Sequence, residues 1–428
     1  MKKKRAKPET KLKPRSIDLL GLEGIVTVSA ETHEWFDNKK QISRLTVMAD
    51  AACEVGPACP SCGSNMPMSR HDSRHVQIKD IPHGRSHVCI DLKRSRYKCK
   101  NCSEMITVTP QVIHSEYRMT RRLVDEIGIL GLQHPFSIVS EMTGVDEKTI
   151  RVIVGALIDR LKECIPFVAP VVVGIDEVHA GVLQAASLVI TDIEKGELLE
   201  LSEDGLSRDA VEETLAQMTG IENVLYGVSD MAGHYHNAMA NKCPGISTIV
   251  DKRHIQIKAR EALTTVREQT RGRTKKNSAA LYGDRGILNK RRHQLSIGER
   301  AKIKQWSQMY PRLGKAYDLK EGFYDLFDYG DFDVVWKAFE IWSASIPADL
   351  EKEFAPVRKM FISKKEKIRA YFVSGKKFTN AVTEAINGLI KAIKRNGRGY
   401  SHKVLRAKAL YKHGRWNEEA IRQYLTFD

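Results

Sequence analysis

The sequence predicts a multidomain α/β protein, and its central predicted domain is a mixed sheet with helices on its faces. The run VVVGIDEV at residues 171–178 is short, rich in β-branched residues and interrupted by glycine, which is typical of a buried strand. Strand and helix patterns alternate after this run, whereas paired cysteines and a pair of short helical patterns precede it. We therefore expect several structural parts in series.

The order of strand and helix patterns along the sequence predicts the fold of the central domain. Three strands come first, in VVVGIDEV, AASLVITDI and ELLEL, with the turn EKGE between the last two. A helix (SRDAVEETLAQM), a strand (NVLYGVSD), a second helix (GHYHNAMANK) and a last strand (STIVD) follow. This order predicts a ribonuclease-H-like mixed sheet, which we assign to residues 166–260 and 376–400.

Composition and charge indicate the class of partner. The chain has 428 residues, and 69 Lys and Arg against 53 Asp and Glu give a net charge of +16. This charge favours DNA or another anionic surface, although a merely basic soluble protein remains an alternative. No apolar run is long enough to span a membrane, and eight cysteines suit a reducing compartment. We expect a bacterial cytoplasmic protein associated with the nucleoid.

Two CxxC pairs, Cys59 with Cys62 and Cys99 with Cys102, predict a structural zinc site in an N-terminal domain at residues 16–115. The intervening segment HVCIDLKRSRYK resembles hairpin strands that return the second pair to the first. A redox-active CxxC is the alternative interpretation. The lysine-rich residues 1–15 are expected to form a disordered arm.

A helix-turn-helix is predicted within residues 116–165. The segment SIVSEMTGVDEKTIRVIVGALIDRL reads as a short helix, a turn at Gly144 and a longer helix. Its groove-facing residues would be Lys148, Thr149 and Arg151. The alternative is an ordinary pair of short helices within a protein core.

Three acids are the candidate catalytic residues. Asp176 and Asp230 each end an apolar strand pattern, which is where chemistry sits in open α/β sheets. Glu384 lies in a helical pattern, NAVTEAINGLIKAIKRN. Three carboxylates can hold a pair of Mg²⁺ or Mn²⁺ ions for phosphoryl transfer. A strand-end acid can also be a solvated residue or a helix cap, and Glu384 can form pairs within its own helix.

The helix of Glu384 is expected to be amphipathic. Asn380, Asn387, Lys391 and Arg395 fall within about 60° of Glu384, and Val382, Ile386, Leu389 and Ile393 are predicted to form the opposite, core-facing side. The basic residues are expected to bind DNA; they are Lys391, Lys394, Arg395 and Arg398.

The motif DKRH places His254 three residues after Asp251. The two residues are predicted to support the carboxylates, although a surface histidine at a helix start is the alternative. Residues 261–375 are read as a helical insertion domain whose aromatic residues are mainly core, because a gap of this length exceeds a loop. Residues 401–428 are expected to form a basic helical segment.

In this order the motifs resemble those of bacterial insertion-sequence transposases of the DDE type, in the group named after insertion sequence L-three. The motifs are CPSCG with CKNC, GIDEV, VSDMAGHYHNAM, VDKRH and TNAVTEAINGLIKAIKRNGRGY. The resemblance implies that Asp176, Asp230 and Glu384 are the catalytic triad, and that Asp251 and His254 form the family's acid-x-x-His signature. It also implies binding of terminal inverted repeats, Mg²⁺-dependent cutting, and joining of 3′ ends to target DNA.

Two positions depart from the family pattern. Arg253 stands where an aromatic residue is usual, and Gly388 stands where a second asparagine is usual.

The leading hypothesis is a DNA transposase that acts on double-stranded DNA as a homodimer or larger assembly. The alternatives are a catalytically silent DNA-binding regulator and a stand-alone nuclease of the same fold.

Overall fold

The computed structural model confirms a mixed α/β protein with a four-cysteine module. The described residues are 20–37, 40–52, 59–65, 68–107, 109–179, 186–203, 205–272, 283, 285–375, 377–397 and 399–425. They divide into two compact units: one contains the residues up to Leu161 together with those from Arg422 onward, and the other is Lys162–Ile421. The predicted arm at residues 1–15 lies outside the described segments.

The first unit contains a sheet of five described strands in the order β1-β2-β4-β3, with the short β5 paired to β4. β2 and β4 run parallel, and the other pairs are antiparallel. One face of this sheet carries an apolar core that includes Val47, Ile78, Ile90 and Leu92. The strands are β1 (Ile25–Asp37), β2 (Lys40–Ala51), β3 (Ser69–His83), β4 (Ser86–Lys98) and β5 (Met105–Thr107).

Helices α1 (Arg121–Gln133), α2 (Phe136–Thr143) and α3 (Glu147–Cys164) follow this sheet in the chain, and α3 belongs to the first unit as far as Leu161. The start of α1 is fixed to β3, because the buried carboxylate of Asp80 accepts hydrogen bonds from Thr120 (2.6 Å) and from the guanidinium of Arg122. The predicted zinc and helix-turn-helix segments are thus parts of one compact unit.

The second unit contains the other described sheet, in the order β10-β9-β6-β7-β8. β6, β7 and β8 form an antiparallel meander, whereas β9 and β10 run parallel to β6. The strands are β6 (Val172–Val178), β7 (Ser187–Asp192), β8 (Glu197–Ser202), β9 (Tyr226–Ser229) and β10 (Ser247–Val250).

Helices cover both faces of this sheet. The helices that follow β8 are, in chain order, α4 (Arg208–Ala216), α5 (Gly233–Lys242), α6 (Lys252–Gly272), α7 (Arg285–Asn289), α8 (Ile297–Met309), α9 (Pro311–Asp325), α10 (Phe332–Ala344), α11 (Glu351–Ser363), α12 (Lys365–Val373), α13 (Ala381–Gly397), α14 (His402–His413) and α15 (Glu418–Leu425), whose residues from Arg422 onward belong to the first unit.

The alternation of residues in β6 separates two cores. Val173 and Ile175 pack with residues of α4 and α5. Val172 faces the other way and shares a core with α6 and the aromatic residues of the helical segment after it. Phe339 and Phe361 stack there at 4.3 Å, so the expectation that these aromatics are mainly core is confirmed.

Gly174 allows α13 to lie close to the sheet. A Cβ atom at this position would lie 2.4 Å from Oγ1 of Thr191 and 2.6 Å from Oγ1 of Thr383. These two hydroxyl groups hydrogen-bond to each other at 2.8 Å in a buried contact between β7 and α13. The glycine in VVVGIDEV therefore brings the first turns of α13 near the end of β6.

Candidate functional site

Three acids lie side by side at one edge of the second sheet. Asp176 lies near the end of β6, and Asp230 and Asp251 directly follow β9 and β10. These three strands are adjacent and parallel, so their carboxyl ends meet at the same edge. The backbone N–H of Asp251 continues the ladder by donating to the carbonyl oxygen of Ser229 at 3.1 Å.

Helix α13 adds the fourth acid. Glu384 lies in its first turn, and its carboxylate, that of Asp251 and a ring nitrogen of His254 all lie within 4.8 Å of one another. Nδ1 of His254 is 3.8 Å from Oδ2 of Asp251, and this pairing raises the pKa of His254. These three side chains therefore offer two oxygen ligands and one nitrogen ligand for a divalent cation.

The carboxyl group of Asp176 also interacts electrostatically with this cluster. Burial raises the pKa of its carboxyl, and the charges of Asp230 and Glu384 raise it further, against the opposing effects of the Glu177 N–H and His254. A half-buried group of like charges is unfavourable unless a cation neutralises it. The oxygen donors and their shared negative charge fit Mg²⁺ or Mn²⁺.

Hydrogen bonds orient the strand-end carboxylates. Oδ1 of Asp176 accepts the N–H of Glu177 at 2.9 Å, and Oδ2 accepts the side-chain N–H of Asn387 at 3.0 Å. Oδ1 of Asp230 accepts the N–H of Ala232 at 2.7 Å. Each carboxylate is thereby held in a defined direction.

Sequence patterns did not reveal two neighbours of these acids. The guanidinium of Arg253 pairs with the carboxylate of Glu384, whereas the sequence marks this position only as a departure from a family pattern. The buried ring of His236 contacts the carbonyl oxygen of Asp230 at 2.9 Å through Nε2. Burial, with the nearby charge of Lys367, lowers the pKa of His236 to about 3, so the ring is neutral and Nε2–H can donate to this carbonyl. The spacing of His236, six residues after the acid on a helix, was the available signal.

The predicted faces of the Glu384 helix need correction. Leu389 was expected to face the core, but 41% of it is exposed, whereas Asn387 is 7% exposed. The buried face contains Thr383, Ile386, Asn387, Ile390 and Ile393. The close approach at Gly174 turns Thr383 and Asn387 toward the sheet, and helical periodicity alone contains no information about that packing.

The other predicted polar residues of this helix differ in their surroundings. Asn380 is fully buried, and neither its side-chain oxygen nor its nitrogen has a hydrogen-bond partner among the described residues. Lys391 and Arg395 are exposed, whereas Nζ of Lys394 donates to the carbonyl oxygen of Tyr400 at 2.8 Å. The predicted DNA-binding residue Arg398 lies outside the described residues.

The four predicted zinc ligands form a cluster in the first unit. All four sulfur atoms lie within 4.8 Å of one another, with 3.8 Å between Sγ of Cys59 and Cys102 and 3.9 Å between those of Cys62 and Cys99. A zinc ion bound by thiolates at about 2.3 Å in a tetrahedron requires sulfur separations of about 3.8 Å. The cluster therefore fits structural Zn²⁺.

The two CxxC turns share one backbone design. The N–H of Gly63 donates to the carbonyl oxygen of Cys59 at 2.8 Å, and the N–H of Ser103 donates to that of Cys99 at 3.0 Å. Gly63 and Ser103 both have left-handed backbones, with φ of 68° and 62°. A hydrogen bond from the side chain of Asn101 is the main cause that lowers the pKa of Cys62 to about 6, which favours the thiolate that binds metal.

The predicted helix pair is present as α2, a turn and α3. Gly144 ends α2 with a left-handed φ of 68°, and the carboxylate of Asp146 accepts the N–H of Thr149 at 2.9 Å at the start of α3. The hydroxyl of Thr149 also donates to Asp146. Lys148 and Arg151 are exposed, and Arg151 pairs with Glu147 at 3.1 Å.

Side chains from the sheet hold this turn. Nζ of Lys79 donates to the carbonyl oxygen of Gly144 at 2.6 Å, and Nε2 of His87 contacts that of Glu141 at 2.8 Å. Carbonyl groups at a helix end lack partners within the helix, so these contacts satisfy them. The turn between α2 and α3 is therefore held by side chains of β3 and β4.

Comparison with known proteins gives two family matches. A model described as transposase, of the ISL3 type of DDE transposases, matches residues 173–409, which is more than half of the chain. A model described as the zinc-finger of transposase IS204/IS1001/IS1096/IS1165 matches residues 56–102. The first range includes Asp176, Asp230 and Glu384, and the second includes the four clustered cysteines. No curated protein matches the chain.

In the part of the chain that the structure describes, no helix has the length and apolar character needed to cross a bilayer.

The strand-end acids, the four-cysteine cluster and the two family matches agree with the resemblance that the motifs indicated. The chain belongs to the ISL3 group of insertion-sequence DDE transposases.

Proposed function

We propose that this transposase binds the terminal inverted repeats of an insertion sequence, cuts DNA strands with Mg²⁺ or Mn²⁺, and joins the freed 3′ ends to target DNA. The observation that carries the proposal is the convergence of Asp176, Asp230 and Glu384 from two strand ends and one helix. The raised pKa of Asp176, which responds to both other acids, supports their acting as one site.

The strand order supports a ribonuclease-H-like catalytic domain. An antiparallel meander of three strands is followed by two strands parallel to the first, with helices on both faces. The helical segment from α7 to α12 lies between the strand-end acids and Glu384, which supports its assignment as an insertion at residues 261–375. The catalytic domain would then comprise residues 166–260 and 376–400.

The three carboxylates would hold the ions in this proposal. Bound ions supply positive charge to the attacking and leaving oxygens of an in-line phosphoryl displacement. Asn387 and the backbone N–H of Ala232 keep the carboxylates of Asp176 and Asp230 in fixed directions. Asp251 and His254 would support Glu384 from the neighbouring strand end, and Asn380 would support the start of α13.

The first unit would bind the element's ends. Lys148, Thr149 and Arg151 would face the DNA groove, and the zinc cluster would stabilise the small sheet that orients α3. Lys391, Lys394, Arg395 and Arg398 would contact phosphates beside the active site. Because transposition joins two ends, we propose a homodimer or larger assembly on DNA, within the cytoplasm and at the nucleoid.

The test is an assay of purified protein on a duplex that carries the terminal repeat and its flank, with Mg²⁺. We expect nicks that leave 3′-OH ends, followed by joined products. Asp176→Asn, Asp230→Asn and Glu384→Gln should abolish both reactions and retain DNA binding. Glu213→Gln is the matched control, because Glu213 is an exposed acid on α4.

Each contrary result has a definite meaning. Wild-type nicking at a normal rate in Glu384→Gln would disprove the assignment of the third carboxylate. Cutting without joining would indicate a stand-alone nuclease. Repeat-specific binding with no cutting in the wild type would indicate a catalytically silent regulator.

A further inference from the structure

We infer that Arg253 couples DNA binding to metal loading, by holding the carboxylate of Glu384 until a DNA phosphate takes over the guanidinium. The inference rests on the proposed function, because it assumes that Glu384 is a metal ligand. The proposed function gives Arg253 no role. The inference adds that DNA binds before Glu384 is fully available to the metal ion.

Arg253 is anchored to one acid of the cluster and reaches another. It lies in the first turn of α6, where its backbone N–H donates to Oδ1 of Asp251 at 2.9 Å. Its guanidinium pairs with the carboxylate of Glu384, which lies 131 residues away in the sequence. The backbone of Arg253 is thus fixed at the strand end, and only its side chain needs to move to release Glu384.

The guanidinium competes with a metal ion for the same carboxylate. The carboxylate of Glu384 lies with Asp251 and His254 in a cluster whose ligand atoms are within 4.8 Å of one another. An arginine stays charged at any physiological pH, so it neutralises Glu384 whenever the two are paired. A cation that binds Glu384 must therefore displace Arg253 or share its carboxylate.

The pair is placed where DNA can reach it. The side chain of Arg253 is 69% exposed and that of Glu384 is 28% exposed. Exposed ion pairs contribute little stability, so separating this one costs little. A phosphate offers the guanidinium two oxygens in a bidentate geometry, which makes DNA an effective competitor.

These properties predict reciprocal coupling. If DNA removes Arg253 from Glu384, then DNA strengthens metal binding, and metal must strengthen DNA binding by the same factor. The active site would bind metal more weakly until a DNA strand is present. At the same metal concentration, the free protein would therefore have a lower metal occupancy than the DNA complex.

The test measures Mn²⁺ binding by titration calorimetry, with and without a duplex oligonucleotide of mixed sequence. Arg253→Gln is compared with Lys258→Gln, which removes a positive charge from the same helix where the lysine pairs with Glu261 at 2.8 Å. Without DNA, Arg253→Gln should bind Mn²⁺ about two- to fivefold more tightly than the wild type, and Lys258→Gln should resemble the wild type. DNA should strengthen Mn²⁺ binding in the wild type and in Lys258→Gln by more than in Arg253→Gln.

Glu384→Gln separates failure of this inference from failure of the proposed function. If Glu384→Gln weakens Mn²⁺ binding but Arg253→Gln matches Lys258→Gln with and without DNA, the coupling role of Arg253 is disproved and the metal site stands. If Glu384→Gln binds Mn²⁺ as the wild type does, Glu384 is not a ligand, and both the metal assignment and the coupling role are disproved.

Discussion

The side-chain nitrogen of Asn387 lies 3.0 Å from Oδ2 of Asp176, although 211 residues separate the two positions in the sequence. The same nitrogen lies 3.1 Å from the carbonyl oxygen of Glu177. Asn387 thus joins α13 to the end of β6 at the carboxylate itself. Together with the contact at Gly174, it determines where Glu384 stands relative to the strand-end acids.

Asn387→Leu should lower the rate of DNA cleavage about 10- to 100-fold, because groups that orient metal ligands typically have effects of this size. DNA affinity, measured by fluorescence anisotropy, should not change. The control is Leu389→Ala, which alters an exposed position on the same helix. Unchanged cleavage in Asn387→Leu would show that the carboxylate of Asp176 needs no support from α13.

Gly174→Ala should destabilise the second unit by about 1–3 kcal/mol, because the added methyl group would overlap Thr191, Ile193 and Thr383 in a packed core. Cleavage should fall as well, since α13 must move outward with Glu384. The measurements are thermal unfolding and the nicking assay.

Gly388→Ala is the control for this change. A Cβ atom at Gly388 would meet nothing within 4 Å, and alanine favours a helix. We expect unchanged or slightly higher stability there. Equal stability of Gly174→Ala and the wild type would contradict the close approach of α13 to β6.

Glu200 provides a pH-dependent test of how α14 is held on the sheet. Its buried carboxylate accepts hydrogen bonds from Arg406 at 2.5 and 2.6 Å and lies 3.4 Å from Arg415. Burial opposes ionisation, but these arginines outweigh it and lower the pKa of Glu200 below its ordinary value of 4.5. The stabilisation is therefore complete above pH 4.5 and is lost as the pH falls through the lower, folded-state pKa.

Glu200→Gln should cost about 3–5 kcal/mol at neutral pH, because it leaves buried arginine charge without its partner. In urea unfolding, the difference between this variant and the wild type should shrink as the pH is lowered below 4.5. A difference that stays constant across this range would show that the charge of Glu200 contributes nothing.

Removal of zinc should unfold the first unit and abolish DNA binding, because small metal-bound modules depend on their ion for folding. Cys99→Ser should have the same effect as a chelator. Cys164→Ser, at an exposed cysteine outside the cluster, is the control and should retain one zinc per chain by atomic absorption. Full repeat binding by zinc-free protein would contradict a structural role.

Patterns along the sequence predicted features that depend on local periodicity. The valine-rich run before Asp176 and the strand and helix patterns after it predicted the order of elements in a mixed sheet, and the ends of two strand patterns predicted the positions of Asp176 and Asp230. The two CxxC pairs predicted the four-cysteine cluster, since a spacing of this kind leaves few other arrangements.

Contacts between distant side chains were beyond such patterns. The face that α13 buries depends on the missing side chain of Gly174, which is why Leu389 was assigned to the wrong side. The pairing of Arg253 with Glu384 and the junction of Asp80 with Arg122 each join segments that share no local pattern. These features follow from packing geometry, which the order of residue types does not specify.

The position of Glu384 has a consequence for protein synthesis. A ribosome reaches this residue only after it has made both strand-end aspartates and all the helices from α6 to α12. A chain released before that point contains the cysteine module and helices α1 to α3 but lacks the last carboxylate. On the proposed mechanism, a growing polypeptide cannot cut DNA until the segment that carries Glu384 has been made.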